Sequence, residues 1–89
     1  MQLAKVIGTV VATRKEDSLI GFKLLVLETL GVEKEGKDGH RLVAVDTLGA
    51  GAGDTVLFVT GGAARIPFPE PAPIDASIVG IVDSIDVQL

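Results

Sequence analysis

Residues 43 to 65 read VAVDTLGAGAGDTVLFVTGGAAR. An apolar run ends at Asp46, glycines alternate at Gly49, Gly51 and Gly53, Asp54 opens a second apolar run, and a glycine pair leads to Arg65. Glycine loops that cradle phosphates run from a strand into a helix, whose first N–H groups face the anion. Here the segment after the glycines, Asp54 to Thr60 (DTVLFVT), is rich in Val, Thr and Phe and reads as a strand. No Gly-Lys-Ser/Thr triplet accompanies it. The stretch is therefore strand, tight connection, strand, and it sets a β reading for the rest.

Working toward the N-terminus, Arg41 to Asp46 is a third strand, and Glu33 to His40 (EKEGKDGH) is an exposed hairpin tip of glycine and alternating charge. Phe22 to Leu30 (FKLLVLETL), bounded by Gly21 and Gly31, reads as a second strand covered on both faces. Arg14 to Ser18 is a solvated break. Leu3 to Thr13 is a first strand, with Ala4, Val6, Gly8, Val10 and Ala12 on its inward face and Gly8 marking a bend or bulge. In the other direction, Ile66 to Pro73 (IPFPEPAP) holds all four prolines, which excludes a helix and implies a stiff extended segment. Asp75 is placed to cap one turn, and Ile78 to Val87 is a fifth strand.

Five strands with room for at most one short helix, in 89 residues, fit an all-β chain: a small barrel of the oligonucleotide/oligosaccharide-binding (OB) type, closed or partly closed, with residues 1–89 as one domain. Hydrophobic residues make up 47% of the chain and mean hydropathy is +0.49, more than one small barrel needs for its interior. The second and fourth strands are apolar on both faces, so the outer face calls for a neighbour, and self-association is the expectation. No run of about 18 apolar residues occurs without a charge, so no membrane-spanning segment is read. The absence of cysteine suits a reducing compartment, the cytoplasm. A formal net charge of −4 and three Phe with no Trp or Tyr argue against a nucleic-acid partner, which needs positive charge and stacking surfaces.

No catalytic constellation emerges. Asp46 and Asp54 frame the glycine loop, but the single His, His40, lies in the charged tip, and no ligand spacing for a metal is present. Aspartates at strand ends ordinarily accept hydrogen bonds from the following turn. The loop itself is either a tight connection needing positive φ or a place where symmetry-related copies approach closely. Gly61 to Arg65 forms a turn or short helix whose Arg pairs with a carboxylate in the same subunit or across an interface, the latter favoured by its planar fork of donors. No cofactor is called for.

The segments GTVVATRK (Gly8 to Lys15), LIGFKLL (Leu19 to Leu25), VAVDTLGAGAGD (Val43 to Asp54), GGAAR (Gly61 to Arg65) and DASIVGIVD (Asp75 to Asp83) together resemble the EutN/CcmL family, the pentameric vertex proteins of bacterial microcompartment shells. The resemblance implies an OB-like barrel assembled as a cyclic homopentamer that caps the five-fold vertices of a shell tiled by hexameric shell proteins, in the bacterial cytoplasm, without catalysis of its own. It places the family's glycine loop, near the five-fold axis or pore, on Gly49, Ala50, Gly51, Ala52 and Gly53. Its Ala-Arg element falls on Ala64 and Arg65, which with Asp46 and Asp54 are the subunit-interface candidates. Hydroxyl residues often precede that element in the family, where this chain has Gly61, Gly62 and Ala63. The alternative is a binding module of the same fold for single-stranded nucleic acid or saccharide, with a small enzyme third.

Overall fold

Runs of aliphatic and β-branched residues form five strands: β1 (Gln2–Val10), β2 (Lys23–Thr29), β3 (Arg41–Asp46), β4 (Thr55–Thr60) and β5 (Ala76–Val82). They close into a barrel in the ring order β1-β2-β3-β5-β4. The computed structural model describes residues 1–13, 15, 17–31, 39–66, 68, 73–86 and 88. All but Gly39 and His40 of the expected hairpin tip, and most of the proline segment, lie outside these residues. Neighbouring strands are antiparallel except β3 and β5, which run parallel and pair only at Val45 and Ser77. Two 3-10 turns, Asp17–Leu19 and Gly61–Arg65, complete the described elements.

The bulge expected at Gly8 is present, and it alters the reading of β1. Val6 pairs with Leu27 and Gly8 with Val26, leaving Ile7 as the extra residue. One inserted residue reverses which face every later side chain takes. Of the residues expected on the inward face, Ala4 and Val6 are buried in the barrel core, whereas Gly8 and Val10 stand opposite the outward-facing Val26 and Leu24. β5 starts two residues before, and ends five before, the span expected from the sequence. Its length is set by its partner: Ala76 pairs with Thr60, Val82 pairs with Thr55, and β4 extends no further. Asp75 caps no helix; its carbonyl accepts the Gly61 N–H at 2.9 Å.

Apolar side chains occupy two layers. Inside the barrel, Phe58 is the largest fully buried residue and packs with Leu25, Leu27, Val6, Val56 and Ile78, the remaining space being filled by alanines. Outside it, Val45, Ala64 and Ile74 form a second cluster with Leu19, Phe22, Leu24, Val59 and Phe68. The rings of Phe22 and Phe68 meet edge to face, 5.0 Å between centroids. The two-faced apolarity of β2 and β4 thus has an internal cause as well: Leu24 and Val59 are covered by the chain's own segments. Val26, Leu57 and Leu3 are only half-buried, and Ile7 and Val43 are exposed.

Phe58→Ala is expected to lower stability by about 3 to 5 kcal/mol, the range for emptying a large buried aromatic site. Ile7→Ala, at the exposed bulge, is expected to change it by under about 1 kcal/mol. Chemical denaturation of the two variants checks the contrast.

Candidate functional site

Asp46 ends β3 facing the last inward position of the barrel, directly opposite Lys23 on β2. Its side chain is fully buried. A buried carboxylate needs donors, and the following loop supplies them. The N–H of Leu48 donates to Oδ1 at 2.9 Å, and those of Gly49 and Ala50 donate to Oδ2 at 3.1 and 2.8 Å. Lys23 Nζ lies 3.8 Å from Oδ2 and donates to the Ala50 carbonyl at 2.6 Å. The peptide groups flanking Ala50 are thus held from both sides, by Asp46 at its N–H and Lys23 at its C=O.

This clamp has a packing consequence. Ala50 is completely buried and belongs to the barrel core, so the loop turns inward and its methyl group closes one end of the barrel. Gly49 and Gly53 adopt φ of 92° and 91°, a region that side chains strongly disfavour. The second half of the loop is tied by Asp54, whose Oδ2 accepts the Gly51 N–H at 2.9 Å, and to β1 by Gly53 N–H to the Val6 carbonyl, also 2.9 Å. Both aspartates accept from their own turn, as their strand-end positions imply. Leu48, Gly49, Ala52 and Gly53 remain exposed.

The other candidates sit elsewhere. Ala64 is fully buried in the second cluster, while Arg65 is exposed at the end of the Gly61–Arg65 turn. Arg65 Nε donates to the Ile74 carbonyl at 3.2 Å, so within the chain its described partner is a carbonyl rather than a carboxylate. His40 is exposed. Sequence reasoning missed Lys23: a lysine at a strand start carries no signal until the register sets it against Asp46. All three Phe are taken up by cores, Phe58 inside the barrel and Phe22 and Phe68 in the outer cluster. None forms an exposed stacking platform.

A family model described as ethanolamine utilisation protein EutN/carboxysome matches residues 1–83. The chain belongs to this EutN/CcmL family. The bacterial microcompartment shell vertex protein GrpN of Rhodospirillum rubrum is 49% identical over 87 residues, which span 97% of each sequence. The carboxysome shell vertex protein CcmL of Thermosynechococcus vestitus is 46% identical over 86 residues, 96% of this chain and 86% of the relative. Among solved structures, the GrpN pentameric microcompartment shell protein from Rhodospirillum rubrum superposes with a TM-score of 0.83 at 44% identity, covering all of both chains. CcmL of Gloeobacter violaceus gives 0.87 at 40% identity, covering 99% of this chain and 91% of that one. In this EutN/CcmL chain the barrel and the family resemblance expected from the five segments are both borne out.

Removing the anchor should be more damaging than removing its partner. Asp46→Ala leaves three loop N–H groups without their acceptor and is expected to lower stability by about 2 to 4 kcal/mol. Lys23→Met, at a half-exposed ion pair, is expected to lower it by about 1 kcal/mol or less. Gly49→Ala meets open space, so its expected penalty of about 1 to 3 kcal/mol is conformational alone. Denaturant unfolding gives the order, and amide hydrogen exchange at Leu48 to Ala50 should quicken most in Asp46→Ala.

Proposed function

We propose that the chain is a structural shell protein whose pentamers cap the five-fold vertices of a bacterial microcompartment and let the shell close. The observation that carries this is likeness along nearly the whole chain, in sequence and fold together, to shell vertex proteins, one of them solved as a pentameric shell protein. Flat layers of six-fold tiles cannot close, and a five-fold unit introduces the curvature. The protein accordingly resides in the bacterial cytoplasm, as part of a shell, and residues 1–89 act as one unit.

The geometry fits an assembly role. The loop at Gly49 to Gly53 presents glycine backbone on a rigid, doubly anchored turn, which suits close approach of copies around a five-fold axis. Of the interface candidates, Arg65 and Asp54 can reach a neighbour, Arg65 being exposed and Asp54 half-buried. Asp46 and Ala64 are buried in their own chain and act on an interface by shaping the glycine loop and the turn that carries Arg65. Outside the ring we propose hexameric shell proteins as partners, without catalysis, nucleic acid or membrane. A nucleic-acid-binding role is not favoured: the net charge is −4 and the three Phe are in the cores.

Native mass spectrometry is expected to give a five-chain assembly at micromolar concentration; a monomer or an obligate dimer would refute the reading. Arg65→Glu is expected to weaken that assembly at least tenfold, against little change for the charge-matched control Lys34→Glu. Equal effects would remove Arg65 from the interface.

A further inference from the structure

β3 and β5 meet only at Val45 and Ser77, and short of that bridge the barrel wall carries a trough. Its two ends differ in character. One hollow, of about 220 Å³, is lined by Leu19, Leu24, Val45 and Ile74, which belong to the outer apolar cluster. The other, of about 530 Å³, lies among the exposed His40 and Thr60. Val43, Asp75 and Ala76 line both, so the two hollows adjoin.

Both walls of the trough are fixed by the chain itself. The Ile74 carbonyl accepts Arg65 Nε at 3.2 Å and the Asp75 carbonyl accepts the Gly61 N–H at 2.9 Å, which ties two successive residues of one wall to the Gly61–Arg65 turn. The facing wall is β3, held along its length by β2. A ligand entering between such walls meets little ordering cost. An apolar cavity of about 150 Å³ takes the six carbons of benzene, so the smaller hollow has room for an alkyl chain of about that size.

The group that suits the other end follows from what lines it. Asp75 is exposed where the two hollows adjoin, and among the described residues no hydrogen bond or ion pair engages its carboxylate. The Thr60 hydroxyl and a neutral His40 imidazole add further acceptors. An anionic head is repelled by Asp75 and by a chain of net charge −4, whereas an ammonium group only donates and carries the opposite charge. We propose that the trough binds a primary alkylammonium ion of about six carbons, with its chain against Leu19, Leu24, Val45 and Ile74 and its ammonium group donating to the Asp75 carboxylate. Every residue invoked comes from one chain, so the inference does not rest on the pentameric reading.

Calorimetric titration of the full chain with hexylammonium chloride, at neutral pH and low salt, should show one site per chain with a Kd of about 1 mM or tighter, in keeping with seven non-hydrogen atoms. Ethylammonium, which lacks the chain, and hexanol, which lacks the charge, should each bind about tenfold more weakly or worse. Hexylammonium should lose a similar factor on Asp75→Asn and bind unchanged to Asp83→Asn, an exposed aspartate that lines neither hollow. Amide shifts on binding should centre on Val43, Val45, Ile74 and Asp75. No saturable binding at well above that concentration, equal affinity for the three ligands, an unaffected Asp75→Asn variant, or shifts confined to residues outside the trough would each overturn the inference. The ligand comparison uses the unaltered chain and decides the matter even if Asp75→Asn misfolds.

Discussion

Closing five short strands into a ring fixes the space inside before any side chain is chosen. The barrel has room for one aromatic ring, Phe58, and the positions around it are correspondingly small: Ala4, Ala44, Ala50 and Ala76 share its core cluster with a few leucines and valines. Interiors of this kind are packed at crystal-like density, so a methyl group too many or too few is felt across the ring. The limit on volume also explains the second layer. Aliphatic residues beyond what the interior can hold stand on the outer face of β2, β3 and β4, and the turns at Asp17–Leu19 and Gly61–Arg65, with Phe68 and Ile74, fold over part of them.

At one end of the barrel the lid is a backbone loop, which brings polar groups to the core's edge. Asp46 resolves this by accepting three N–H groups at once, and Lys23, held opposite it by strand register, brings a compensating charge and takes the Ala50 carbonyl. The glycines permit the sharp path and the charges fix it. A loop so tied can be presented to other copies without an ordering penalty at each contact.

Much of this was legible in the residues. Strand runs, turn glycines and the framing aspartates announce themselves through period and composition, and β3 falls on the residues read for it, Arg41 to Asp46. What pattern cannot supply is anything decided by a partner strand. The glycine at position 8 signals a bulge, but only the pairing with β2 reveals that Ile7 is the extra residue and that Val10 consequently turns outward. β5 is bounded by the length of β4, which the sequence of β5 does not contain. Lys23 acquires a role only through register. The outer-face apolarity of β2 and β4 reads in the sequence as a call for a neighbouring copy, because local pattern cannot tell cover supplied by distant segments of the same chain, as at Leu24 and Val59, from cover supplied by another.

The pairing of Gln2 with Phe58, and of Val45 with Ser77, bears on how the protein comes to exist. The meander of β1, β2 and β3 can zip locally while the chain is being made, at about 5 to 20 residues per second. It cannot bury its inward face until β4 returns to β1, and β5, last of the five strands, must arrive before β3 gains its second neighbour. Long-range closure of this sort is slow compared with local hairpins. A nascent chain therefore waits with open edges for seconds, and the wall of the barrel between β3 and β5 exists only once synthesis has passed β5, so the ribosome releases the chain almost as soon as its ring can close.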